Sequence, residues 1–190
     1  MAKTNITEST KKLVLASLLT ALVIVFHIIS QFVTIGAASL NLCLVPIVIG
    51  AALCGPIVSS WLGFVNAVAI LLTPSTALFY GWHILGTIVT VLLKGTLCGT
   101  AAGLIYKALE KVNKTVASIV AAVACPIVNT GIFILGSAIF FKGYMTEFFR
   151  VEGSFTYFII MFVIWNFVFE FSSCILLAPT ITKVIDIKKK

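Results

Sequence analysis

The chain has 190 residues, 61% of them hydrophobic and only 10% charged, with a formal net charge of +7 and a mean hydropathy of +1.18. A water-soluble domain of this length needs a more polar exterior, so the composition excludes one and puts most of the chain in lipid. The apolar residues run in continuous stretches such as 112–141 rather than in short alternations, which excludes a β-barrel and predicts helices.

The first apolar run, 12–29, is close to the roughly 20 residues a helix needs to cross the hydrocarbon. No small-residue cleavage pattern follows it, so it is read as a retained first span. After a polar patch holding Ser30, Gln31, Thr34 and Gly36, the next apolar region is too long for one span and is interrupted by Cys54-Gly55-Pro56. Proline lacks an amide donor and glycine readily ends a helix, so two spans are predicted, 44–53 and 56–72. The first of them is too short to cross alone and needs shielding by its neighbours. Thr73-Pro74-Ser75-Thr76 breaks the run again, and spans at 83–109 and 115–141 follow. After a charged, aromatic loop a last span covers 155–178, ahead of Pro179 and a basic tail. The expectation is an all-α integral membrane protein, a six-transmembrane-helix bundle forming one membrane domain over 1–190.

An even number of spans puts both termini on one side. Lys3, Lys11, Lys12, Lys107, Lys111, Lys114, Lys183 and Lys188-Lys189-Lys190 then share a face with Glu8, Glu110 and Asp186, while Lys142 and Arg150 opposite are offset by Glu147 and Glu152. The positive-inside rule makes the basic face cytoplasmic, with both termini on it. The same distribution excludes a nucleic-acid partner, because the basic residues hug membrane ends and form no recognition motif.

Two charges fall inside predicted spans, Lys94 and Glu170, and a charge in hydrocarbon costs at least roughly 2.5 kcal/mol. Either the two pair and set the register of their helices, or Lys94 complements an acidic group on a ligand. Asn66, Asn129 and Asn166 also lie within spans; each alone is as well explained by helix-to-helix hydrogen bonding, whereas the set suggests a polar cavity. Trp82 and His83 open the 83–109 region among interfacial aromatics, and Trp165 is too deep for an interfacial belt but well placed to stack on a planar ligand. The candidate solute-binding residues are therefore Asn66, Trp82, His83, Lys94, Asn129, Trp165, Asn166 and Glu170, in the outer half.

Gly95, Gly99 and Gly103 lie on one face at four-residue spacing, which indicates close helix packing and says nothing of substrate. Ala16 with Thr20, and Ser17 with Ala21, form a second small-residue stripe. Cys43, Cys54, Cys98, Cys125 and Cys174 form no CxxC or Cys/His pair at ligand spacing, and His27 and His83 are far apart, so no metal site is expected. No GxxxxGK[ST], HExxH or GxSxG occurs, which leaves binding and translocation ahead of catalysis; no cofactor is expected.

The segments Lys11-Lys12-Leu-Val-Leu-Ala16-Ser-Leu-Leu-Thr-Ala21, Leu44-Val-Pro-Ile-Val-Ile-Gly50-Ala-Ala-Leu-Cys-Gly55-Pro56 with Gly63, and Gly99-Thr-Ala-Ala-Gly103-Leu-Ile-Tyr-Lys107, in that order, resemble the substrate-binding S component of energy-coupling factor (ECF) transporters, the vitamin-uptake proteins of many bacteria. The resemblance implies ATP-dependent uptake of a water-soluble vitamin or vitamin precursor across a bacterial plasma membrane. It also implies partnership with a transmembrane T component and two cytoplasmic ATPase subunits, in a membrane-lipid setting. Carried over residue by residue, it makes Ala16, Ser17, Thr20 and Ala21 the docking stripe and residues 31–41 the loop that closes the pocket. The family's helix-one motif is usually a pair of alanines four apart, and here each pair substitutes one serine or threonine, which keeps the stripe small. The alternatives are a self-sufficient secondary transporter or channel, for which Lys94 and Glu170 are the charged candidates, and a structural membrane subunit with no ligand.

Overall fold

The structure is a computed structural model that describes residues 2–32, 34–35, 38–39, 42–144, 156, 163–164 and 166–175. Its first helix, α1 (Ala2–Phe32), is followed by a hairpin of β1 (Thr34–Ile35) and β2 (Ala38–Ser39), antiparallel with Thr34 opposite Ser39 and Ile35 opposite Ala38. The Leu42 amide donates to the Ser30 hydroxyl at 3.4 Å, which ties the end of α1 to the far side of that loop.

Two helices then meet at a sharp stop, α2 (Leu44–Cys54) and α3 (Pro56–Leu71). Gly55 between them has φ 91°, a conformation side chains with a Cβ avoid, and Pro56 takes the first helical position, where a missing amide hydrogen costs nothing. At its other end α3 leaves carbonyls without intrahelical donors. The hydroxyls of Thr73 and Thr76 donate to the Ile70 carbonyl at 2.6 and 2.7 Å, and the Tyr80 hydroxyl to that of Leu71 at 2.8 Å. A 3₁₀ turn at Pro74–Thr76 and the short α4 (Ala77–Trp82) lead into α5 (Ile84–Leu109). The side chain of Asn113 accepts from the amides of Thr115 and Val116 at 2.9 and 3.2 Å and so caps α6 (Lys114–Phe140). Residues 166–175 form a further helical stretch.

Six spanning helices are not what this structure holds. Among the described residues three helices are long and apolar enough to cross a membrane, Ser9–Phe32, Ile84–Leu109 and Lys114–Phe140. A fourth is reached only if Pro56–Leu71 and Pro74–Trp82, bent by 73° at their break, count as one span. The physical reason is length: α2 has 11 residues and rises about 16 Å, half the hydrocarbon thickness. Of the expected last span, 155–178, only 156, 163–164 and 166–175 are described, and the rest lies outside the described residues. The shared cytoplasmic side of both termini rested on the even count and is withdrawn with it.

The core is built mainly from small and branched side chains: Leu19 and Val23 of α1, Leu44, Ile47 and Val48 of α2, Leu62 of α3, Cys98 and Ala102 of α5, Ala121 and Cys125 of α6. α5 sits between α3 and α6. Against α3 the backbones nearly touch: a Cβ added at Gly63 would run into the Gly95 carbonyl, one at Gly99 into that of Ser59, and one at Gly103 into Pro56. The Ser60 and Thr100 hydroxyls bond across this seam at 2.6 Å. These pairings run antiparallel, as do Gly86 with Phe140 and Gly136 with Thr90 between α5 and α6. The α1–α2 hairpin, α4 and the end of α6 therefore gather at one end of the bundle, and the α2–α3 turn and the α5–α6 turn at the other.

Candidate functional site

At the hairpin end the aromatic residues form one cluster. Phe79 meets Trp82 edge-on at 5.4 Å between centroids and Phe133 edge-on at 5.9 Å, and lies 5.4 Å from Phe141, which is itself 6.3 Å from Trp82. α4 supplies Phe79 and Trp82 and α6 supplies Phe133, so the break at Thr73–Pro74 brings these rings to the mouth of the α5–α6 seam. Edge-to-face packing of this kind is worth about 0.5–1.5 kcal/mol per pair beyond burial.

Lys94, near the middle of α5, extends under this cluster with its Nζ 4.8 Å from the centroid of Phe133. One turn before Phe133 on α6, the Nδ2 of buried Asn129 donates to both oxygens of buried Glu170 in the 166–175 stretch, at 3.1 and 3.4 Å. Of the two sequence readings of Lys94, neither is tested by this arrangement, but it gives the lysine a ring and the glutamate an amide as direct contacts.

The structure brings Trp82, Lys94, Asn129 and Glu170 to the neighbourhood of one seam, with Phe133 joining the first two. His83 stands at the N-terminus of α5, where its Nδ1 accepts from the Gly86 amide at 2.8 Å and its ring lies 5.5 Å from Phe140. Asn66 belongs to a different packing layer: it is buried on α3 beside His27 of α1, and its Oδ1 has no hydrogen-bond partner. Asn166 is half-buried in the helical stretch with Glu170, while Trp165 lies outside the described residues. Along the docking stripe, Ser17 and Ala21 are exposed and Ala16 and Thr20 are half-buried; the Ser17 and Thr20 hydroxyls return to the carbonyls of Leu13 and Ala16 at 3.0 and 2.8 Å.

Sequence reasoning missed Phe133, Thr90 and Ser137. Phe133 stands one turn beyond Asn129 on α6, a spacing that was available as a signal, but inside an apolar run a phenylalanine reads as lipid-facing. Thr90 Oγ1 and Ser137 Oγ are buried without a hydrogen-bond partner. They belong to the same seam, since a Cβ at Gly136 would strike the side chain of Thr90.

At the opposite end a cavity of about 280 Å³ is lined by Lys12, residues 51–56, Tyr106, Lys107 and Glu110. It carries charges of both signs and lies far from the aromatic cluster. Among the described residues no group of three or more His, Cys, Asp or Glu side chains is placed to hold a metal ion.

A family model described as the substrate-specific component of ECF transporters matches residues 11–181. No curated protein and no solved structure matches the chain.

Proposed function

Because the chain belongs to the family of ECF transporter substrate-specific components, membrane-embedded proteins that work generically with a T component and ATPase subunits, we propose that it captures a water-soluble vitamin or vitamin precursor at the aromatic end of the α5–α6 seam. The observation that carries this reading is the convergence of Phe79, Trp82 and Phe133 above a half-buried lysine at mid-helix, an aromatic wall with a polar group at its foot. Pockets for small solutes have this composition, mostly aromatic with a few placed polar groups. Asn129 and Glu170 form the floor and His83 stands at the start of α5; Asn166 is a further candidate contact, as is Trp165, which lies outside the described residues. Asn66, with an acceptor to spare, serves the α1–α3 side of the same end.

The hairpin of β1 and β2, which follows α1 and whose flanks are tied by the Ser30–Leu42 bond, belongs to the 31–41 loop and is the candidate gate; residues 33, 36–37 and 40–41 of that loop lie outside the described residues. The aromatic end faces outward and the end bearing Lys12, Lys107 and Lys111 faces the cytoplasm of a bacterium, by the bias of basic residues to the inner side. With no nucleotide-binding motif in the chain, ATP turnover in two partner subunits drives release inward. Docking on the T component uses the α1 stripe, and within it Ser17 and Ala21, whose side chains point away from the bundle, in preference to Ala16 and Thr20.

Isothermal titration of the purified chain, alone in detergent, against a panel of water-soluble vitamins tests capture. Saturable one-to-one binding of at least one member at micromolar concentration or tighter is expected. Failure of every member to bind sinks the reading.

A further inference from the structure

Resting on that reading, we infer that the captured solute is a monocarboxylate, its anion held by Lys94 and its ring or apolar body lying along Phe133 and Phe79. Lys94 is the eleventh residue of α5, about 15 Å from the helix start, so its ammonium sits at hydrocarbon depth. Its contact there is the face of Phe133 at 4.8 Å, and among the described residues no carboxylate pairs with it directly. A desolvated cation over a ring gains about 2 kcal/mol, less than the several kcal/mol that an ammonium loses on leaving water. An ammonium also has three donors to place, and a ring face engages them poorly.

Both oxygens of Glu170 accept from Asn129. Among the described residues no hydrogen-bond acceptor is in contact with the lysine, whose direct contact is the Phe133 ring. Two further donors stand on the same seam: Thr90, one turn from Lys94 on α5, and Ser137, one turn from Phe133 on α6, both buried and both with hydroxyls lacking a partner. A carboxylate entering along the aromatic wall meets the lysine and is offered both hydroxyls. A single ammonium offsets one negative charge, which favours a carboxylate over a phosphate dianion.

The test is titration calorimetry on the purified chain with matched acids and neutral forms: nicotinate with nicotinamide, biotin with biotinamide, pantothenate with panthenol, and riboflavin and thiamin as neutral and cationic references. Expected is an acid that binds at least tenfold tighter than its neutral partner, an advantage lost in Lys94→Met and largely kept in Lys94→Arg. If Lys94→Met does not fold, the acid-to-neutral ratio in the unaltered protein decides between acceptance and rejection. Tight binding of riboflavin or thiamin, or of an acid no better than its neutral form, overturns the inference and leaves vitamin capture standing. Binding by no member overturns capture itself, and the inference with it.

Discussion

The two sides of α5 are packed by opposite means. Toward α3 it presents Gly95, Gly99 and Gly103, and the partner's backbone lies directly on them, so nothing is left to fill or to satisfy. Toward α6 the seam is made by side chains, Thr90, Lys94 and Phe133 among them, and it contains buried hydroxyls with no partner and a cation resting on a ring. A native interior leaves few polar atoms unsatisfied. Where two of them meet across one seam, Thr90 on α5 and Ser137 on α6, that seam is the place to look for a missing ligand, and the glycine face is what holds α5 still.

That contrast breaks most readily on the glycine side. Gly99→Leu drives a large side chain into the Ser59 backbone; the expected cost is about 3 kcal/mol or more, read as loss of a monodisperse peak in fluorescence-detected size exclusion. Gly131→Ala is the control, since a Cβ there meets nothing within 4 Å, and it is expected to fold normally. Next in size is Asn129→Leu, which takes one donor from a buried carboxylate and is expected to lower stability by about 3 kcal/mol, seen as a drop in thermal midpoint that Glu170→Gln largely avoids. Trp82→Ala is expected to leave the fold intact and weaken vitamin binding about tenfold, measured by calorimetry. Smallest is Thr90→Val: with no hydrogen bond to lose, stability should move by no more than about 0.5 kcal/mol while binding of an acidic ligand falls a few-fold. A large loss of stability there would show that the hydroxyl is structural and erase the difference between the two faces.

What could be read from sequence divides along the same line. The stop at Gly55-Pro56 is written in residues with fixed backbone preferences, and the structure puts α2 and α3 on either side of it. The glycine face of α5 was legible as packing, but its partner was not, because Gly63 and Ser59 reach it only through the folded bundle. The span count failed because hydropathy cannot tell lipid from protein interior: Leu44, Ile47 and Val48 look like membrane residues and are wholly buried by the bundle. Lys94 and Glu170 announced themselves by cost, yet the contacts they make, Phe133 and Asn129, follow from helix register across α6 that no spacing in the chain reveals. Asn66 looked equivalent to Asn129 in sequence and turned out to belong with His27 on α1.

The most direct test uses the chain's own tryptophans. Of the three, Trp61 lies on the exposed face of α3, 5.9 Å from Phe64, and Trp82 lies in the aromatic cluster. With Trp165→Phe in both, a protein retaining only Trp82 and one retaining only Trp61 are titrated with the vitamin that calorimetry identifies. The account predicts a saturable change in Trp82 emission and none in Trp61. A response from Trp61 with Trp82 silent would put the ligand on the wrong side of α5 and contradict it.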